Sequence, residues 1–127
     1  MAGKLGEAFA RAVAAKDWAR LGELLQPDVD FRGMTPGRTW EDPGAEGVLD
    51  ALGQWFDDSD EITELLALDL DSFADRERVG YRFHVRNPDG DHVVEQQAYL
   101  SERGGRIGWL RIMCSGYRPA SDVATGR

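Results

Sequence analysis

The sequence predicts a single α+β domain, and two observations carry most of that prediction. Residues 4–56 contain three segments with apolar residues at helical spacing, whereas residues 76–117 alternate between apolar and polar positions in three strand-like runs. Turn signals separate these runs, one at Asn87-Pro88-Asp89-Gly90 and the other at Gly104-Gly105. We therefore expect helices in the N-terminal half and a three-stranded antiparallel meander in the C-terminal half.

Two helices and a strand are expected first. The first helix covers residues 4–15, and the second follows Asp17, whose carboxylate is placed to cap it. Pro27 ends the second helix, and alternation over residues 29–33 predicts a short strand. The residues expected to face the core are Leu5, Phe9, Ala12, Val13, Trp18, Leu21, Leu24 and Leu25.

The middle of the chain predicts a loop, a third helix and another strand. Residues 34–40 form the loop, and Asp42-Pro43 opens the helix, with aspartate as cap and proline in the first turn. Acidic residues at 57–60 end this helix and indicate a solvated turn more than a metal site. Residues 61–73 form the next strand. The apolar stripe of the third helix is Val48, Leu49, Leu52, Trp55 and Phe56.

Composition limits the partners that the protein can have. The chain has 127 residues and a formal net charge of -8, which argues against binding to nucleic acid or to anionic membranes. No apolar run reaches the length of a membrane helix and no signal peptide is evident, so we expect a cytoplasmic protein. One cysteine, Cys114, excludes an internal disulfide. We expect one domain over residues 1–118, a disordered polar tail over 119–127, and no cofactor.

The two turns predict which residues share a face of the meander. Around the first turn Arg82 faces Glu95 and Arg86 faces Asp91, so opposite charges meet across the strands. Around the second turn the same counting places Gln97 opposite Ile112. One predicted face is polar and the other apolar. The polar face holds Arg82, His84, Glu95, Gln97, Tyr99, Leu110, Ile112 and Cys114; the apolar face holds Val79, Tyr81, Phe83, Val85, Val94, Gln96, Ala98, Leu100, Trp109, Arg111 and Met113.

Two sequence segments resemble the NTF2-like superfamily, including its SnoaL-like, limonene-epoxide-hydrolase-like and ketosteroid-isomerase-like branches. The segments are AAKDWARLGELLQPDVDF at residues 14–31 and GGRIGW at residues 104–109. The resemblance covers about residues 4–118 and implies a cone in which three N-terminal helices pack on a strongly curved, mainly antiparallel sheet. Because this fold hosts many activities, the resemblance is informative about fold and weak about function.

Pattern and resemblance disagree about which face holds a pocket. The pattern sends the apolar face to the helices and the polar face to water. The resemblance implies the reverse, with the polar face lining the cavity and the apolar, convex face forming a homodimer. We favour the second arrangement at this point.

The resemblance also shows which chemistry is missing. Positions that carry catalytic groups in the epoxide-hydrolase branch are Phe31, Gly33 and Ile112 here, and no carboxylate remains there to activate water. The base of the isomerase branch falls near Gly33, so that route is also excluded. Glu41-Asp42-Pro43-Gly44 resembles the Asp-Pro motif of the isomerase but lies about nine residues too late.

The remaining candidate acid/base pair is His84 with Glu95, because a histidine beside a carboxylate can act as a base near neutral pH. In the alternative interpretation Glu95 only neutralises Arg82. Cys114 is expected to be a buried filler and not a nucleophile. No metal site is expected, because His84 and His92 lie on opposite predicted faces. The residues predicted to contact ligand are Arg82, Gln97, Tyr99, Phe31, Trp40, Trp55, Ile112 and Cys114.

These expectations leave two hypotheses about function. The first is a small-molecule-binding protein that catalyses an acid/base isomerisation, dehydration or cyclisation of an apolar substrate with a polar group. The second is a non-catalytic homodimer that serves as a binding or protein-interaction module. An enclosed cavity lined by Arg82, Glu95 and Gln97 would favour the first, and a packed cone interior would favour the second.

Overall fold

The computed structural model describes residues 4–121 and contains three helices and six strands in that range. The tail predicted at residues 119–127 falls outside the described residues from position 122 onward. The helices are α1 (Lys4–Ala14), α2 (Trp18–Leu24) and α3 (Gly44–Trp55); the strands are β1 (Leu25–Thr35), β2 (Arg38–Trp40), β3 (Glu61–Phe73), β4 (Arg76–Asn87), β5 (Gly90–Arg103) and β6 (Arg106–Pro119).

The N-terminal caps of α2 and α3 differ. The Asp17 carboxylate accepts a hydrogen bond from the Arg20 N–H at 3.0 Å, so the predicted cap of α2 is confirmed. The predicted cap of α3 is wrong. Pro43 takes the cap position of α3 without a side-chain hydrogen bond, and its carbonyl accepts from Gly47 N–H at 3.2 Å.

The six strands form one mixed sheet in the order β2-β1-β6-β5-β4-β3, and the sheet curls around the helices without closing. Every neighbouring pair is antiparallel except β1 and β6, which run parallel. The prediction of a loop at residues 34–40 is wrong, because this segment contains a short hairpin. In this hairpin Thr35 pairs with Arg38 around Pro36-Gly37, and Gly37 takes a positive φ of 79°.

The apolar face of β4 and β5 packs against the helices. Phe9 of α1 contacts Tyr81 with ring centroids 6.2 Å apart, and Phe56 after α3 contacts Phe83 at 5.7 Å in an edge-to-face arrangement. This inner face therefore forms the core, as the alternation pattern alone indicates. The favoured prediction, in which the apolar face is convex and forms a dimer interface, is wrong. The buried inner-face residues of β4 and β5 are Val79, Tyr81, Phe83, Val85, Val94, Gln96, Ala98 and Leu100.

Register is correct around the first turn of the meander and shifted around the second. Arg82 pairs with Glu95 and Arg86 with Asp91, as predicted. Gln97, however, pairs with Met113 and not with Ile112, because a β-bulge opposite Ser101 and Glu102 adds one residue, Gly108, to β6. Arg111 and Met113 therefore lie on the outer face with Gln97 and Tyr99, whereas Leu110, Ile112 and Cys114 turn inward and are buried.

The acidic segment after α3 is more ordered than a solvated turn. Asp60 is buried, and its carboxylate accepts from Asp57 N–H at 3.1 Å and from the Asn87 side chain at 3.0 Å. The Lys16 ammonium donates to the carbonyls of Asp57 and Asp60, which ties the α1–α2 junction to this turn. The predicted turn is confirmed. The prediction that the turn is solvated is wrong for Asp60, which is buried.

Candidate functional site

A depression with a mainly apolar lining lies on the outer face of the sheet, on the side away from the helices. Its volume is about 770 Å³, within the range of roughly 300–1,000 Å³ that small-molecule sites occupy. We call it the outer groove. It is lined by Arg32, Gly33, Met34, Thr39, Glu41, Glu95, Gln96, Gln97, Tyr99, Arg111, Ile112, Met113, Cys114 and Ser115.

Sheet register brings together the exposed side chains of the groove. Met34 of β1 pairs with Met113 of β6, and Met113 pairs in turn with Gln97 of β5. The two methionines remain 50% and 59% exposed, which is unusual for side chains that are neighbours on one sheet face. Together they form an adaptable apolar floor that a ligand or a second protein surface can cover.

Charged groups of both signs flank this floor. Arg32 lies 3.6 Å from Glu41, and Arg111 lies 3.3 Å from Asp30. On β5, Glu95 accepts two hydrogen bonds from the Arg82 guanidinium through one oxygen, at 2.7 and 3.0 Å.

A buried polar pair, Tyr81 and Gln96, lies on the inner face of the sheet. The Tyr81 hydroxyl donates to the Gln96 side-chain oxygen at 2.6 Å, and burial raises the pKa of Tyr81 well above its usual range. Within residues 4–121, the buried side-chain nitrogens of Gln96 and Trp55 have no hydrogen-bond partner. The surrounding cone is filled by aromatic and aliphatic side chains of the core.

The structure divides the predicted ligand residues between the two faces. Arg82, Gln97 and Tyr99 lie on the outer face, and Gln97 and Tyr99 line the outer groove. Ile112 and Cys114 belong to the buried core and also reach the lining of the outer groove. Phe31, Trp40 and Trp55 belong to the core and do not line the groove, so the predicted list does not form one site.

Trp40, expected on a loop over the cone mouth, is buried at the end of β2. Its ring packs edge-to-face on Trp55 at 5.8 Å, and its indole N–H donates to the Thr35 hydroxyl at 2.8 Å. The Arg38 guanidinium stacks over the Trp40 ring, at 3.4 Å from its centroid. Trp40 is therefore a packed residue of the core, and its role as a lid stays a prediction.

The proposed acid/base pair is not joined by any contact that the structure describes. The His84 ring contacts the Thr63 hydroxyl through Nδ1 and lies 3.7 Å from Asp91 through Nε2. Glu95 binds Arg82 instead. The contacts therefore agree with the alternative interpretation of Glu95, and catalysis by His84 and Glu95 stays a prediction without a supporting contact.

Cys114 and the two histidines offer no evident reactive or metal centre. Cys114 is buried, and its sulfur accepts a hydrogen bond from Gly116 N–H at 3.4 Å. His92 packs its ring against Tyr117 at 5.7 Å. Across residues 4–121 the structure contains no group of three or more His, Cys, Asp or Glu side chains arranged to hold a metal ion. None of the described helices is long and apolar enough to cross a membrane.

Four important groove residues are absent from the predicted list: Arg32, Met34, Arg111 and Met113. The sequence does contain a signal for them, because Arg32 and Met34 alternate with the core residue Phe31 and with Gly33 in the strand. Arg111 and Met113 were assigned to the apolar face, since the bulge that reverses β6 is not evident from the turn residues alone.

Comparison with solved structures identifies the architecture. An isomerase, provisionally assigned, from Rhodopseudomonas palustris superposes with a TM-score of 0.72 at 17% identity and covers 100% of both chains. The fold is the NTF2-like cone.

Two further structures have the same fold. A provisionally assigned polyketide cyclase from Xanthomonas campestris has a TM-score of 0.68 at 21% identity, with 86% of each chain covered. A protein with a ketosteroid isomerase-like fold from Catenulispora acidiphila, in complex with trimethylamine, has a TM-score of 0.66 at 17% identity and covers 91% of this chain and 88% of its own. No family model matches the sequence, and no curated protein matches it significantly. These identities establish the fold alone.

Proposed function

We propose that this NTF2-like protein binds a small, largely apolar molecule in the outer groove. The observation that carries the proposal is a depression of about 770 Å³ that combines exposed methionines with convergent polar side chains. Support also comes from the packed cone interior, where the core leaves Phe9, Leu52 and Phe83 fully buried.

The proposal does not include catalysis. General acid/base chemistry needs a proton donor or acceptor within hydrogen-bond reach of the reacting atom. Glu95 lines the groove, but its carboxylate is already held by Arg82 in an ion pair at 2.7 Å. Binding is thus the function that the described contacts support best.

The proposal can be tested by mapping the binding of an apolar fragment library with amide and methyl NMR spectra. We expect shifts concentrated at Met34, Gln97 and Met113. The Met113→Glu substitution places a charge on the apolar floor and should weaken binding by more than about tenfold.

A matched control uses another exposed apolar residue of the sheet. Leu66 is 42% exposed on β3, outside the outer groove, and Leu66→Glu should leave binding unchanged. Shifts centred on Phe9, Trp55 and Phe83 would instead place the ligand inside the cone and would contradict the proposal.

A second copy of this chain is the alternative occupant of the outer groove. The exposed pair Met34 and Met113 favours it, because apolar side chains on a sheet face are usually covered. The paired charges of both signs around them are also self-complementary under a two-fold axis. Sedimentation without ligand distinguishes the two cases: a dimer that dissociates on Met113→Glu, together with no fragment binding, would favour self-association.

A further inference from the structure

We propose that the ligand of the outer groove carries a carboxylate, which the guanidinium groups of Arg32 and Arg111 bind together. The inference rests on the proposed function, because it names the ligand class for the same groove. The apolar part of such a ligand would lie over Met34 and Met113, one register step along the same two strands.

The first observation is that two like charges are direct neighbours. Arg32 of β1 and Arg111 of β6 are register partners on adjacent strands, and both line the groove. Adjacent strands lie only about 4.8 Å apart, and like charges at facing positions destabilise a sheet. An anion placed between the two guanidinium groups removes this repulsion and uses their fork geometry for paired hydrogen bonds.

The existing partners of the two arginines leave them able to bind an anion. Glu41 is 3.6 Å from Arg32, and Asp30 is 3.3 Å from Arg111, and both carboxylates are largely exposed. An ion pair as exposed as Arg32–Glu41 contributes little, typically about 0–1 kcal/mol, because water and salt screen it. Arg111 is less exposed, at 27%, but its partner Asp30 remains 62% exposed to water. A ligand carboxylate can therefore compete for the free N–H groups at a small cost.

The orientation of Arg111 is already fixed before a ligand binds. Its guanidinium stacks 4.4 Å from the Trp109 ring centroid and donates to the Asp30 carbonyl oxygen at 2.9 Å. Fixing a long side chain in advance lowers the entropy that binding must remove. The remaining N–H groups of Arg111 are then available for an acceptor in the groove.

Tyr99 extends the polar row on the third strand. It is the register partner of Arg111, and its hydroxyl accepts from the Gln97 side chain at 3.2 Å, which leaves the phenolic hydrogen to donate. The row Arg32, Arg111 and Tyr99 thus presents donors, while the next row presents Met34 and Met113. This division matches an amphipathic molecule with an anionic head and an apolar body.

The experiment compares matched pairs of probes by calorimetry. Octanoate and 2-naphthoate are titrated beside 1-octanol and 2-naphthol, which have the same apolar bodies without the carboxylate. We expect the carboxylates to bind more tightly, with affinity that falls as salt rises. Arg32→Gln and Arg111→Gln should each weaken carboxylate binding by about tenfold and leave alcohol binding unchanged.

Arg86→Gln is the control, because Arg86 lies on the same face outside the groove and its side chain is 61% exposed, as is that of Arg32. Arg86→Gln removes the same charge and should not change the affinity for the carboxylate probes. Equal affinities for acids and alcohols, or an equal loss in Arg86→Gln, would overturn this inference and leave the proposed function intact. Absence of binding by all four probes would overturn both. If Arg111→Gln lowers stability because Trp109 loses its stacking partner, the result for the exposed Arg32→Gln variant decides whether the inference holds.

Discussion

The inner and outer faces of the sheet differ in how tightly packing determines their side chains. Along β4, Tyr81 and Phe83 are buried against the helices, whereas Arg82 between them points to solvent and pairs with Glu95. The inner-face side chains belong to the buried core, so their size and shape are restricted. On the outer face only charge balance and the groove constrain the residues. Stability should therefore depend on the first face and binding on the second.

The largest effect is expected from adjacent residues of β4. Phe83→Ala removes a fully buried ring and should lower the free energy of unfolding by about 3–5 kcal/mol. Arg82→Ala removes an exposed ion pair and should cost at most about 1 kcal/mol. Urea unfolding of the two variants measures the difference. Comparable losses would mean that the two faces do not differ in packing.

Two strand glycines give the next test, because neither has a positive φ and only one has packing above it. A Cβ at Gly33 would lie 2.8 Å from the Trp55 ring and 3.1 Å from Phe31. Gly33→Ala should therefore cost about 2 kcal/mol. At Gly80 the nearest atom is 4.0 Å away, so Gly80→Ala should be neutral or slightly stabilising. Thermal unfolding that ranks the two variants in the opposite order would contradict this packing.

The buried pair on the inner face should show coupling. Tyr81→Phe leaves the Gln96 side-chain oxygen without its donor and should cost about 1.5 kcal/mol. Combining it with Gln96→Leu removes both polar groups, so the double variant should be more stable than the sum of the single losses. A double-mutant cycle in urea measures this coupling, and strictly additive losses would argue against the hydrogen bond.

The smallest effect concerns alkaline pH. Burial raises the pKa of Tyr81, so the folded protein keeps a phenolic proton that the unfolded chain releases as pH rises through about 10. The contribution of Tyr81 is thus fully present below that pH and is lost above it. Unfolding measured at pH 8 and pH 11 should show a smaller decrease for Tyr81→Phe than for the unchanged protein. An equal decrease would assign the effect to other groups, such as Tyr117, whose pKa burial also raises.

The fold and the register between β4 and β5 could be predicted from the sequence, whereas the register between β5 and β6 could not. The turn at 87–90 and the charge pairs Arg82–Glu95 and Arg86–Asp91 determine how β4 meets β5, and both are readable as residue types. The bulge opposite Ser101 and Glu102 leaves only a weak signal, the isolated Gly108 inside β6, so the turn residues did not predict the orientation of β6 and the groove residues Arg111 and Met113 were missed.

The prediction of which sheet face packs on the helices was wrong for a different reason. Alternation alone places Tyr81 and Phe83 inside, because burying aromatic rings is strongly favourable. The prediction followed the resemblance instead, which places the cavity on the face where relatives carry catalytic groups. This chain lacks those groups. The hairpin at residues 35–38 was missed because three-residue strands have too few positions for alternation to be recognised.

The parallel pairing of β1 with β6 has a consequence for the order of folding. Arg111 and Asp30, which contact each other across these strands, are 81 residues apart in the chain. Contacts that distant close a large loop and form late, whereas the β4–β5 hairpin can form locally. Arg32 with Arg111, and Met34 with Met113, lie on this seam. We therefore expect a nascent chain to acquire the proposed binding surface only when its last strand docks, in the same step in which Ile107, Leu110 and Ile112 of β6 complete the core.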